Sequence, residues 1–334
     1  MVQGIAVIKQ GSGAPEQTWH LGLLGGPIGH SLSPTLHRAA LDWAGLSGDY
    51  SLIADATAAD VAQAAQDLRA GRWQGLNITV PHKRLAAQLC DRVLPSVWPQ
   101  APGLQAVNTW VMQRGQLCGT NTDGSGCVDA LRRAGLDLFG RRVLILGCGG
   151  ATLGLIGELV AAGVVKLGVV ARNTLTAKAS LGPWLEVLPP DQLKVLSWSA
   201  SKSMGAWDVV LQATPIGHGQ TEPPSADAFA ELPWDAWQKR GAVLADLVYN
   251  RHGLTWFEAV AERQGVGVDP RLLASADHEA RVLPALVRAN GVLRGFGLAM
   301  LAAQAARSFG WWTGITPDPV VLQDALGALP ATPA

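Results

Sequence analysis

Apolar residues in this chain come in short continuous runs, separated by stretches in which they recur at helical spacing. Residues 21–25 form one such run, and Ser33-Pro34 follows as a helix start in which Ser33 reads as the N-cap and proline suits the first helical position. Leu36, Ala40, Leu41 and Ala44 then share one helical face up to Gly45. A strand near residues 50–53, a helix with Val61, Ala65 and Leu68 on one face, and a strand over 76–80 complete a β-α-β-α-β order. That is the rhythm of a mainly parallel sheet. Residues 106–112 and 116–120, separated by Arg114-Gly115, predict a hairpin running into Asp123, and a helix over about 125–134 leads away from it.

The alternation then restarts. Strands are expected over 142–146, 167–171, 207–212 and 243–246, with a glycine-rich turn and a helix to Ala162 after the first. Each run is continuous rather than alternating, as in strands covered on both faces. The expected architecture is α/β in two domains, an N-terminal α/β domain on a mainly parallel sheet and a Rossmann-like dinucleotide domain, separated by a cleft. Residues 296–309 form one apolar helix carrying a single amide, Gln304. Residues 1–18 and the Pro/Ala-rich tail after Pro330 have the composition of poorly ordered termini.

Composition narrows the class of partner. A chain of 334 residues with 48% hydrophobic content is long enough for two cores, and 26 basic against 26 acidic residues leave no net field for nucleic acid or an anionic membrane. A small-molecule partner is expected. The cysteines at 90, 118, 127 and 148 lack CxxC spacing, so they read as reduced cytoplasmic thiols rather than a metal site or a disulfide framework. No apolar stretch reaches membrane-spanning length and no signal segment is recognisable at the N-terminus. The thirteen tryptophans are expected to serve packing.

Two segments carry candidate chemistry. In Asn77-Ile78-Thr79-Val80-Pro81-His82-Lys83 a β-type run breaks at proline and delivers a lysine, ahead of Asn108-Thr109 and Asn121-Thr122-Asp123-Gly124. A lysine meeting a carboxylate across a cleft is a proton-transfer pair. In Gly147-Cys148-Gly149-Gly150-Ala151, a strand turns into a helix on glycines. Gly147 permits the tight turn, Gly149 lets phosphate approach the backbone, and the helix start supplies N–H groups and positive dipole. The strict G-x-G-x-x-G spacing is not met, because Thr152 and then Gly154 follow. The next strand ends in Ala171-Arg172-Asn173-Thr174, with no acid for a ribose 2′-hydroxyl. Arg172 suits a 2′-phosphate, favouring NADP over NAD; the alternative is a solvated arginine at a strand end.

The runs 26–34 and 77–83, Ala106-Val107-Asn108-Thr109, 121–124, the glycine turn, Ala213-Thr214-Pro215-Ile216-Gly217 and Met300-Leu301-x-x-Gln304 occur in the order seen in shikimate dehydrogenases. Over about residues 20–310 the chain resembles that family, and seven motifs in order make the resemblance specific. It implies reversible NADPH-dependent reduction of 3-dehydroshikimate to shikimate, on the route to chorismate and the aromatic amino acids. It implies Lys83 and Asp123 as the catalytic pair, and Ser31, Ser33, Thr79, Asn108, Asp123, Tyr249 and Gln304 as substrate contacts. Thr214, Leu247 and Gly297 resemble cofactor-side positions, with Asp91 placed on the same side of the cleft. An NAD-dependent quinate/shikimate dehydrogenase and a non-catalytic NADP-binding or metabolite-sensing module are the alternatives.

By the same resemblance, residues 19–124, completed by 297–330, form the substrate domain, and 125–296 the NADP domain. The stretch 267–294 looks inserted, with Leu283, Leu286, Val287 and Val292 suggesting an added helix. Tyr249-Asn250 is followed by Arg251 rather than the family's proline, and His82 and His218 place two imidazoles near the cleft. The chain is expected to act as a monomer or homodimer.

Overall fold

The computed structural model describes residues 17–94, 105–203, 206–217, 229–250, 253–266, 268–269 and 291–327. The first half contains β1 (Trp19–Leu24), α1 (Ser33–Ala44), β2 (Gly48–Ile53), α2 (Ala58–Arg69), β3 (Gly75–Ile78), α3 (Lys83–Leu89), β4 (Arg92–Val93), β5 (Thr109–Gln113) and β6 (Gln116–Thr120). These strands form one sheet in the order β2-β1-β3-β5-β6-β4. The β1–β2, β1–β3 and β4–β6 ladders are parallel, whereas β5 runs antiparallel to both β3 and β6. The sheet is therefore mixed. The β5–β6 hairpin turns on the two-residue loop Arg114-Gly115, with φ of 51° and 76°, the positive pair that matches hairpin twist.

The second half contains α4 (Asp123–Arg133), β7 (Arg142–Leu146), α5 (Gly150–Ala161), β8 (Lys166–Ala171), α6 (Thr174–Val187), β9 (Leu193–Ser197), β10 (Val209–Gln212), α7 (Trp234–Arg240), β11 (Val243–Asp246), α8 (Trp256–Arg263), β12 (Val268–Asp269) and β13 (Gly291–Leu293). Its sheet has the order β12-β13-β11-β10-β7-β8-β9, with every ladder parallel. Strand order reverses between β7 and β10, and ligands of open α/β sheets bind outside the strand ends at such a point.

Two helices follow, α9 (Phe296–Thr313) and α10 (Pro319–Gly327). The start of α9, with Phe296, Ala299 and Met300, packs into the core of the second sheet. Its later turns, with Ala302, Ala305 and Phe309, pack into that of the first. One apolar helix thus ties both halves together. Trp207, Trp234 and Trp237 fill the other face of the second sheet, while Trp110 is fully buried beneath α2 and α3.

Three expectations are corrected. Ser33 does not cap α1: Leu32 is the N-cap residue, without a side-chain bond, and Ser33 is the first helical residue. The helix expected from 125 starts at Asp123, after Thr122. Val292, read as part of an added helix, lies in β13 and pairs with β11 and β12, because its neighbours satisfy their backbone groups as an inner strand. Leu283, Leu286 and Val287 fall outside the described residues, as do most of 1–18 and the tail after Pro330.

Candidate active site

A cavity of about 350 Å³ lies between the two sheets. On one side β3 ends at Ile78, where the Thr79 N–H donates to Leu24 O at 2.9 Å and the His82 N–H donates to Thr79 O at 2.9 Å. That turn makes Lys83 the first residue of α3, with its carbonyl accepting the Val107 N–H at 2.8 Å. Lys83 Nζ donates to Asp123 Oδ2 at 2.6 Å, and the two side chains are only 12% and 10% exposed. Asn108 Nδ2 donates to the other carboxylate oxygen at 2.8 Å, while Asn108 Oδ1 accepts the Thr122 N–H at 2.8 Å. The carboxylate is held from two sides. A short charge-assisted bond of this kind fixes geometry as well as charge.

A buried polar network supports the pair. Ser308 Oγ lies 3.1 Å from Thr122 Oγ1 and 2.9 Å from Thr109 Oγ1, and it accepts from Asn77 Nδ2 at 3.0 Å. Tyr50 donates its hydroxyl to Asn77 Oδ1 at 2.9 Å. Gln304 Oε1 accepts from Thr122 Oγ1 at 3.3 Å, one helical turn before Ser308. Sequence reasoning named Gln304 but missed Asn77 and Ser308 as partners. The i,i+4 spacing of Gln304 and Ser308 was the available signal.

Every expected substrate contact, Ser31, Ser33, Thr79, Asn108, Asp123, Tyr249 and Gln304, lines this cavity. Burial raises the Tyr249 phenol above its usual value, against hydrogen bonds with the Leu32 backbone and the Ser31 side chain, so it faces the cavity as a neutral hydroxyl. His30, Pro215 and Met300, which stand in the family motifs without an expected site role, also line it, as does Val248, which was not foreseen.

The opposite wall comes from the second sheet: Gly149, Gly150 and Ala151 after β7, Thr214 after β10, Leu247 after β11, and Gly297 on α9. Gly147 has φ +111°, and a Cβ there would come 3.0 Å from Ala213 O. A Cβ on Gly149 would meet nothing within 4 Å, so the turn leaves an open cradle. The first turn of α5 has no side-chain cap, which leaves its N–H groups and dipole available to an anion. A Cβ on Gly297 would lie 2.3 Å from Val248 O, so only glycine allows this close approach. These features fit a dinucleotide phosphate.

Gly147, Cys148, Ala171, Arg172, Asn173 and Thr174 do not line the cavity itself. Arg172 is exposed at the end of β8, and Asn173 caps α6 by accepting the Thr176 N–H at 3.0 Å. Cys148 is half-buried in the glycine turn, its thiol pushed up by burial. Asp91 does not line the cavity either. Its carboxylate accepts from Arg69 at 2.7 Å and from the Leu117 N–H at 2.8 Å, at the edge of the first sheet, where a surface arginine and a ladder N–H satisfy it. His82 Nε2 lies 2.7 Å from Ala56 O and does not line the cavity. His218 lies outside the described residues. Among those residues no group of three His, Cys, Asp or Glu could hold a metal ion, and no helix is long and apolar enough to cross a membrane.

A parallel doubly wound sheet, a glycine cradle at its switch point and a lysine–carboxylate pair across the cleft define a nucleotide-dependent oxidoreductase architecture. Residues 23–110 match the shikimate dehydrogenase substrate binding domain, and 297–326 match the shikimate 5′-dehydrogenase C-terminal domain. The chain is 35% identical over 319 residues to shikimate dehydrogenase (NADP(+)) of Moorella thermoacetica, covering 93% of this chain and 95% of that protein. It is 32% identical over 309 residues to the enzyme of the same name from Bordetella avium, covering 92% and 94%. The crystal structure of shikimate 5-dehydrogenase from Thermus thermophilus in complex with NADP(H) and shikimate matches at TM-score 0.68 and 27% identity, over 92% of this chain and 98% of that chain. A ligand-free 5-ketofructose reductase of Gluconobacter sp. strain CHM43 matches at TM-score 0.71 and 25% identity, over 93% and 98%. The chain belongs to the shikimate dehydrogenase family.

Proposed function

We propose that this protein is a shikimate dehydrogenase, catalysing the reversible NADPH-dependent reduction of 3-dehydroshikimate to shikimate in aromatic amino acid biosynthesis. The observation that carries the reading is the 2.6 Å Lys83–Asp123 pair facing a cavity shared with the α5 glycine turn. NADPH, when bound, supplies the hydride. Lys83 then stabilises the alkoxide charge that develops on the substrate oxygen and passes a proton to it, with Asp123 holding the ammonium in place. In the oxidative direction the same pair takes the proton away. Ser31, Ser33, Tyr249, Thr79, Asn108 and Gln304 offer neutral donors and acceptors, which suit the carboxylate and hydroxyls of a small polyol acid. A site built on such groups penalises an analogue lacking a hydroxyl, because its own polar atoms are left unpaired.

In this reading residues 19–124 with 297–330 make the substrate domain, and 125–296 the NADP domain, with Arg172 taking the 2′-phosphate. The enzyme works in the cytoplasm as a monomer or homodimer, a reading supported by four free cysteines.

The test is absorbance at 340 nm with shikimate or quinate against NADP⁺ or NAD⁺, and with 5-ketofructose against NADPH. Shikimate with NADP⁺ is expected to give the highest kcat/KM. Preference for quinate with NAD⁺, turnover of 5-ketofructose in place of shikimate, or nucleotide binding without any turnover would each overturn the reading.

A further inference from the structure

Beside Lys83 on α3 stands Arg84, an exposed residue that the proposed reaction does not use. Its guanidinium reaches across the cleft, where Nη2 donates to Ser180 Oγ at 2.6 Å. Ser180 is a buried residue of α6, 6% exposed, whose own hydroxyl donates to Thr176 O at 2.9 Å. The same guanidinium opposes the rise that burial imposes on the Cys148 thiol, so its positive field falls on the glycine turn. Packing agrees, since a Cβ on Gly150 would sit 3.1 Å from Lys83 Cδ. The start of α3 therefore lies directly against the start of α5.

The charge balance of the cradle gives this position a meaning. The turn offers N–H groups and a helix dipole but no cation, because Gly147-Cys148-Gly149-Gly150-Ala151-Thr152 carries none. Lys83, which does line the cavity, is held by Asp123. A dinucleotide pyrophosphate would bring two negative charges to this turn. We propose that Arg84 is a cofactor-binding residue contributed from the opposite side of the cleft, its guanidinium binding the pyrophosphate on the Gly147–Ala151 turn while Ser180 keeps it aimed there.

A planar guanidinium suits this task because it engages two phosphate oxygens at once. The 2′-phosphate is the less suitable target. Ser180 lies seven residues beyond the Asn173 cap, roughly 10 Å along the α6 axis at 1.5 Å per residue, whereas Arg172 sits beside that cap. Arg84 and Arg172 thus divide the cofactor's anions between them. One responds to any dinucleotide, the other only to the phosphorylated one.

The inference rests on the reading of this cavity as an NADP(H) site, and calorimetric titration of the whole protein with NADP⁺ and NAD⁺ separates the two. Arg84→Gln is expected to weaken both nucleotides by a similar factor, about tenfold, or ~1.4 kcal/mol, and to flatten the salt dependence of binding. Arg84→Lys should recover part of the loss. Arg172→Ala should weaken NADP⁺ alone, and Ser180→Ala should stay within about threefold of wild type. Unchanged affinities in Arg84→Gln, or a loss confined to NADP⁺, would overturn the assignment. So would a Ser180→Ala loss as large as that of Arg84→Gln, which would make the arginine a strut between the two sides. Wild-type protein that binds neither nucleotide would sink the cofactor reading itself, and this inference with it.

Discussion

Lys83 donates to a carboxylate whose second oxygen is already held by Asn108, so neither charged group can turn from the cavity without leaving a buried partner unpaired. Breaking such a pair from one side is costly because an uncompensated charge stays behind. That penalty falls on stability, whereas the proton transfer falls on kcat, and the two can be measured apart. Lys83→Ala is expected to lower kcat by about 10²–10⁴-fold, the usual worth of a positioned proton carrier, with shikimate affinity by calorimetry shifted less than about tenfold. Asp123→Asn keeps the shape and the Asn108 contact but removes the charge, and should also lower kcat. Turnover within a few-fold of wild type in either variant would show that the pair is not the proton carrier. Neighbouring residues show how little separation such roles need, since Lys83 turns to Asp123 while Arg84 turns across the cleft to Ser180.

At the scale of elements, α4 and α9 cross so closely that a Cβ on Gly126 would stand 2.7 Å from the backbone N of Gln304. Two effects of Gly126→Ala oppose one another. Replacing a helical glycine gains up to about 1 kcal/mol of helix propensity, and overpacking costs about 1–3 kcal/mol. The clash meets backbone rather than a flexible side chain, so it should win, with a net loss of ~1 kcal/mol seen as a lower Tm. Because Gln304 rides on the displaced backbone, the KM for shikimate should rise while NADP⁺ affinity holds. A higher Tm with unchanged KM would mean the helices part freely. Elements with their own period, such as α1, α2, β7 and α9, were legible in the sequence because local spacing alone builds them. The insertion of β5 antiparallel to β3, the two-residue β4 and the pairing of β13 were not, because they depend on ladders between distant segments. Helix α6 escaped notice because Pro183 interrupts its pattern. The site divides along the same line. Motifs contiguous in sequence pointed to Lys83, Asp123 and the glycine cradle, whereas Ser308 under Asn77 and Ser180 under Arg84 join residues 231 and 96 positions apart.

For the whole molecule, α9 packs into both cores, so loss of one half strips packing from the other and the two are expected to unfold together. Each half holds a titratable group that burial keeps uncharged. In the first, His37 is fully buried and stacked on Tyr50 with ring centroids 4.3 Å apart. Burial pushes its pKa from 6.5 down to about 3, with Asn77 acting in the opposite direction. Its contribution is present above about pH 6.5 and lost as pH falls toward 3. In the second, burial lifts Asp246 from 3.8 to about 8, with neighbouring Glu258 adding to the rise, against hydrogen bonds with Thr255 and the Val248 N–H. The sign is opposite here. The folded state holds a proton that the unfolded chain releases, so this contribution is full below about pH 3.8 and is lost as pH climbs through 8. Asp246→Asn mimics the protonated acid and can still accept the Val248 N–H, made at 2.9 Å in the native chain. Its stability relative to wild type should therefore improve steadily from about pH 4 to 8 and level off above, with a limiting slope of ~1.4 kcal/mol per pH unit. His37→Phe, which keeps an aromatic ring against Tyr50, should flatten the acid side of the same melting transition instead. Thermal denaturation across pH 3–9 reads both limbs. A stability difference between wild type and Asp246→Asn that stays constant with pH would mean that Asp246 is charged in the folded protein.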